Sequence, residues 1–198
     1  MIEPKVLLEK ITQAYATFEV FRCRGALTRV IYPKSRPDSP IESRFSMRLC
    51  IARSGNFFLQ WCLNHWSDRM NHTIIAMDSQ VISHSFGEMQ WTREGSIEDI
   101  LAGHTGISGG LAIQIPALVM GFNIPFLDRF EEVDEVKEQG AECYLIKGYR
   151  GESWRRTVII RTADWVILRV SDHLRDEQGE YTSDFAYTNI ETTLEPID

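Results

Sequence analysis

The stretch "RFSMRLCIAR" alternates Phe45, Met47, Leu49 and Ile51 with Ser46, Arg48, Cys50 and Ala52. A period of two is the signature of a strand with one buried face, so a helix is excluded here. After the turn-forming Ser54-Gly55-Asn56, "NFFLQWCLN" sets Phe57, Leu59, Trp61 and Leu63 on one side, which predicts a hairpin. Seven further stretches read as strands: "VFRCRGALTRVIY", "HTIIAM", "QVISHSF", "ECYLIKGYR", "SWRRTVIIRT", "DWVILRVSDHL" and "YTSDFAYTNIE". Connections such as Met77-Asp78-Ser79-Gln80, Thr162-Ala163-Asp164 and Asp176-Glu177-Gln178-Gly179 are too short for parallel crossovers. An antiparallel meander of about nine strands is the expectation. The proline-rich "PKSRPDSPIES" reads as an irregular surface connection between the first two strands.

Two regions have a helical period instead. Near the N-terminus, Leu7, Ile11, Ala14, Tyr15 and Phe18 fall on one helix face, with Pro4 suited to the first turn. In the middle, "TGISGGLAIQIPALVMGFNIPFL" runs for 23 residues without a charge, in a chain that is 25% charged. "SIEDILAG" before it has Ser96 and Asp99 at the spacing of a capping box. Leu111, Ile115, Leu118 and Phe122 form one row of the following helix, and Ile113, Ala117 and Met120 form a second, with Gly121 as its stop. A helix apolar all round should be buried all round. Membrane insertion is the poorer reading, because Pro116, Pro125, Gln114, Asn123 and four glycines leave a helical core of only about sixteen residues.

A strongly twisted sheet of about nine strands curls, and an apolar concave face must be covered. The expected architecture is therefore α+β, a single domain over residues 1–198. Its curved antiparallel sheet forms an unclosed β-barrel, covered by the N-terminal helix and a central apolar helical lid.

Several kinds of chemistry are poorly supplied. A net charge of −7 weighs against nucleic acid, whose phosphates need clustered Lys and Arg. Cys23, Cys50, Cys62 and Cys143 have no CxxC spacing and read as buried structural thiols, with a disulfide open if the protein is exported. Gly106-Ile107-Ser108-Gly109-Gly110 fits the G-x-S-x-G pattern, but a nucleophile elbow needs a strand before it and a helix after it. Here a helix-like segment precedes, and the only downstream histidine, His173, sits in a strand, so the glycines read as a hinge. They form no phosphate loop either, since no Lys lies between Lys34 and Lys137. His65, Asp68, His72 and His84 match no metal-ligand spacing, and "NHWSDRMNH" has the composition of a loop. Glu131, Glu132, Asp134, Glu135 and Glu138 read as a solvated face or loop. No catalytic residue, metal or cofactor is expected.

Trp61, Trp66, Trp91, Trp154 and Trp165 can fill a core or line a cavity, and core packing accounts for most of them. "MIEPKVLLEKITQAYATF" carries Glu3 and Glu9 where a secretory signal would be uncharged, so the chain reads as cytoplasmic, or as one whose leader has been trimmed.

The order of helix, meander, apolar helical insertion and second meander resembles the outer-membrane lipoprotein carrier (LolA-like) and mycobacterial lipoprotein superfamily. Local echoes are "YATFEVFRCRGALTRV" as the helix-to-strand passage, Arg36-Pro37 before "RFSMRL", the turn and strand "MDSQVISHS", and "TADWVILRV". The resemblance implies a non-enzymatic carrier or sensor that holds a hydrophobic small molecule or acyl chain between half-barrel and lid, in the periplasm or elsewhere in the cell envelope. Peripheral membrane contact fits that role, without a transmembrane segment. Strand and helix alternation nominates Phe45, Met47, Leu49, Leu59, Trp61, Leu111, Ile115 and Leu118 as the lining. The alternative is a scaffold or sensor for a protein partner, with a filled core and an exposed apolar patch.

Overall fold

Helix α1 (Pro4–Thr17) begins at the proline that suits its first turn, and buries Leu7, Ile11 and Tyr15. In the computed structural model, which describes residues 2–63, 72–77, 81–95, 111–121 and 127–194, it is followed by eleven strands and one further helix. The strands are β1 (Val20–Pro33), β2 (Ile41–Ala52), β3 (Phe57–Leu63), β4 (His72–Met77), β5 (Val81–Phe86) and β6 (Met89–Glu94), then β7 (Arg129–Glu138), β8 (Ala141–Arg150), β9 (Trp154–Arg161), β10 (Ile167–Arg175) and β11 (Gly179–Thr193). Helix α2 (Leu111–Val119) lies between the two groups in sequence. The hydrogen-bonded order is β6-β5-β4-β3-β2-β1-β11-β10-β9-β8-β7, a linear ladder that does not close into a barrel. The fold is thus a mostly antiparallel open sheet with few helices.

Ser96 and Asp99, the glycine hinge around Ser108, His65, Trp66, Asp68 and Phe122 lie outside the described residues. Among those described, no helix is long and apolar enough to cross a membrane.

The chain divides into two compact units. One comprises Met1–Ala14, Ala26–Arg44 and Pro125–Tyr187, and the other Tyr15–Gly25, Phe45–Ile124 and Thr188–Asp198.

The first unit contains the meander β7 to β10, and at its edge the acidic run is the solvated face of a strand, not a loop. The acidic run is strand β7, paired with β8 from Arg129↔Tyr149 to Glu138↔Ala141. Its hairpin turns at Gln139-Gly140, with φ of 52° and 82°, the positive pair that a type I′ two-residue turn needs. The alternation was hard to see because the register shifts between Phe130 and Glu132, which displaces the period by a residue. The carboxylates are held by neighbours: Lys147 Nζ reaches Glu132 at 2.6 Å and Asp134 at 3.5 Å, and Arg155 reaches Glu131 at 3.3 Å. Strand β6 is the other element the local pattern did not show.

On the exposed face of β10 and β11, Arg169 donates two hydrogen bonds to Asp184, at 2.8 and 2.6 Å, and the Ser171 hydroxyl donates a third at 2.6 Å. Burial alone would raise the Asp184 carboxyl, but the Arg169 and Ser171 bonds together with the guanidinium charge hold it below the ordinary value of 3.8. A depressed carboxylate contributes stability that is present above its unfolded-state value and lost as the pH falls through the lower folded one. Acid unfolding followed by circular dichroism should therefore have a limb below pH 3.8 that Asp184→Asn flattens. An unchanged acid limb in the variant would refute the assignment.

The second unit contains β3 to β6 and parts of β1, β2 and β11, and the expected hairpin is present in it. Met47 pairs with Trp61, Leu49 with Leu59, and Phe45 with Leu63. Its turn is closed by the Gly55 amide on the Ala52 carbonyl. All four cysteines are free thiols, Cys23 and Cys143 buried, Cys50 and Cys62 half-buried. Burial, with a smaller contribution from Cys50, pushes the Cys23 thiol up to about 12, so it stays protonated and inert.

Candidate functional site

The site is built on the buried face of β2 to β6, all within the second unit. Antiparallel pairing places directly opposed residues on one face, so register converts a list of residues into rows. One row runs Met47–Trp61–His72–Phe86–Met89 across five strands. The next runs Leu49–Leu59–Ile74–His84–Trp91.

Burial changes along the rows. Met47, Leu49, Leu59, Trp61, His72 and Ile74 are buried, while Trp91 is 44% and Met89 61% exposed at the β6 edge. An exposed pair of large apolar side chains continuous with buried ones is an accessible apolar surface, unlike the scattered exposed residues any protein shows.

His72 sits among aromatic rings. Its ring centroid is 4.4 Å from that of Trp61, edge-on at 68°, 6.0 Å from Phe86 and 6.2 Å from Trp91. These are the distances of favourable ring packing. The imidazole is a buried polar group in an otherwise apolar row, at the first residue of the strand expected for "HTIIAM".

Helix α2 is apolar and buried on every side from Gln114 to Val119, as a helix with two apolar rows requires. Gly121, at φ +77°, ends it, with its amide on the Leu118 carbonyl.

Of the eight nominated lining residues, Met47, Leu49, Leu59 and Trp61 are buried on adjacent strands, and Phe45 is half-buried at the end of the same alternation. Ile115 and Leu118 are buried on α2, whereas the Leu111 side chain lies outside the described residues. The sequence reading missed His72, Phe86, Met89 and Trp91. The available signal was the short Gly87-Glu88 turn, flanked by alternation of Met89 and Trp91 with Gln90 and Thr92. The five tryptophans also divide: Trp61 is core, Trp154 and Trp165 are half-buried, and Trp91 is exposed. Among the described residues no group of His, Cys, Asp or Glu is arranged to hold a metal ion.

With this geometry, comparison with solved structures gives an uncharacterized conserved protein from Thermus thermophilus at TM-score 0.50 and 11% identity, covering 96% of this chain and 86% of that one. A LolA superfamily protein from Nitrosomonas europaea matches at TM-score 0.42 and 10% identity, covering 99% of this chain and 96% of that one. The likeness to the Thermus thermophilus protein is one of fold, and a LolA superfamily protein, the resemblance expected, stands among the matched structures. MucB in its Pseudomonas aeruginosa complex with MucA matches at TM-score 0.43 and 12% identity over 98% of this chain, which spans 58% of MucB. No family model matches the sequence, and comparison with curated proteins finds no match.

Proposed function

We propose that the protein binds a hydrophobic ligand, a lipid or an acyl chain, on the apolar face of β2 to β6, without catalysing a reaction on it. The observation that carries this reading is the row from Met47 through Trp61, His72 and Phe86 to Met89, which passes from full burial to an exposed edge. An acyl chain entering at Met89 and Trp91 would meet apolar surface continuously. Phe45, Met47, Leu49, Leu59, Trp61, Leu111, Ile115 and Leu118 form the proposed lining, with α2 as its cover. We treat residues 1–198 as a single domain, because each unit is assembled from three separated stretches of chain. Carriage within the cell envelope is the setting that the order of elements implies.

The test is titration with a fluorescent fatty acid, alongside native mass spectrometry and organic extraction of the purified protein. The probe should bind, and Trp91→Ala should weaken it by about tenfold, the value of one large apolar contact. Absence of both a co-purified lipid and probe binding would sink the proposal.

A second reading has its own observation. Among the described residues strand β6 ends the ladder, which gives a protein partner an edge for strand addition, with Met89 and Trp91 beside it. Under that reading Trp91→Ala weakens a protein complex and leaves fatty-acid titrations without signal in either form.

A further inference from the structure

A cleft of about 320 Å³ lies against β1, β2 and β3 in the second unit, and its chemistry is opposite to that of the apolar row. Arg24, Ser46, Arg48, Gln60 and Cys62 line it, and none of its eight lining residues bears a carboxylate. These five occupy the alternate, less buried positions of their strands. Arg24, Ser46 and Arg48 are exposed, and Gln60 is fixed by its amide nitrogen donating to the Thr73 hydroxyl at 3.2 Å.

The chain offers its arginines many carboxylates. Acidic residues outnumber basic ones by 28 to 21, and Arg44, Arg53, Arg155, Arg156, Arg161 and Arg169 each hold a carboxylate. Among the described residues neither Arg24 nor Arg48 has an ion-pair partner. Two guanidinium groups facing one cleft with no carboxylate among its lining residues repel each other, and an anion between them relieves that repulsion. Guanidinium forks match the planar and tetrahedral oxyanions, carboxylate and phosphate, and a dianion satisfies both at once.

We infer that this cleft is a binding site for a phosphate group, held by Arg24 and Arg48 with Ser46 as a further donor. Met47 and Trp61 of the apolar row also line the cleft, but the phosphate contacts inferred here come from the alternate, polar positions of the strands and do not depend on the ligand proposed there. Its phosphate could be free, as inorganic phosphate or a small phosphomonoester, or could be presented by a lipid headgroup.

Two titrations distinguish these sources, one with inorganic phosphate by calorimetry at millimolar concentration, the other with phosphatidic acid vesicles against phosphatidylcholine vesicles by sedimentation. Binding in the first arm identifies a free phosphate, and selective binding in the second a headgroup. The paired variant Arg24→Gln with Arg48→Gln should weaken whichever is seen by more than about tenfold, since each charge-assisted bond contributes about that factor. Arg22→Gln removes the same charge from an exposed position on β1 that does not line the cleft, and should leave binding within about twofold. All three substitutions are at exposed side chains, and a thermal melt identifies any variant that has lost its fold. Binding in neither arm, or equal losses in Arg22→Gln and the paired variant, would overturn the assignment.

Discussion

Replacing Arg156 by alanine should lower stability by about 3–5 kcal/mol, read as a shift in the midpoint of urea unfolding. The guanidinium is 1% exposed and the Asp172 carboxylate 9%, and two hydrogen bonds of 2.6 Å join them in a fork. They are cross-strand partners on β9 and β10, with Val158 and Val170 facing each other two residues further along. Removing the arginine leaves a buried carboxylate without its fork of hydrogen bonds, with only the more distant Arg150 charge beside it, a much larger penalty than the pair's own net contribution. The paired replacement Arg156→Met with Asp172→Leu should come within about 1 kcal/mol of the parent or exceed it, because neither ion then needs desolvating. A cost below about 1 kcal/mol for Arg156→Ala would mean that the pair behaves as an exposed one, contrary to its burial.

Tyr15→Ala should cost about 3–5 kcal/mol on the same measurement. Tyr15 is fully buried, its ring 5.3 Å from Phe18 and 5.5 Å from Phe21, with those two rings 6.2 Å apart. The backbone beneath the cluster is held by Arg53, whose guanidinium donates to the carbonyls of Tyr15 at 3.3 Å, Ala16, and Phe18 at 3.0 Å. A cation at the carbonyl end of a helix satisfies acceptors that have no intrahelical donor. Truncating the ring would therefore open a cavity that the tethered backbone cannot collapse to fill. Tyr15→Phe keeps the ring and should cost less than about 1.5 kcal/mol. Equal costs for the two variants would place the contribution in the hydroxyl instead of the packing.

The elements that could be read locally were those whose burial follows a simple period. Leu7, Ile11 and Tyr15 define α1, and the alternation from Met47 to Trp61 defines the β2–β3 hairpin, whose register the pairing of the strands then fixes. Strand β7 was hidden because its acids suggest solvent and a bulge breaks its period, so only its pairing with β8 reveals it. Strand β6 has only Met89 and Trp91 as large apolar residues, both exposed, so burial leaves little pattern in it. The site divides in the same way. Met47, Leu49, Leu59 and Trp61 follow from alternation, but the position of His72 beside Trp61 depends on where β4 begins and how it pairs, which "NHWSDRMNH" does not encode locally. Placing Arg24 and Arg48 in one cleft needs three strands brought side by side, information that no single segment holds.

The acids of β7 have a further consequence, because β7 ends the ladder. A second copy approaching in antiparallel register would bring acids of one copy opposite acids of the other, for example Glu131 opposite Glu135 and Glu132 opposite Asp134. Like charges directly opposed across a strand pair are destabilising, and low dielectric at the contact would strengthen the repulsion. The run that looks like a soluble loop thus acts as a guard on an otherwise sticky margin, deterring fibre-like growth from that side while Lys147 and Arg155 neutralise part of it toward the sheet.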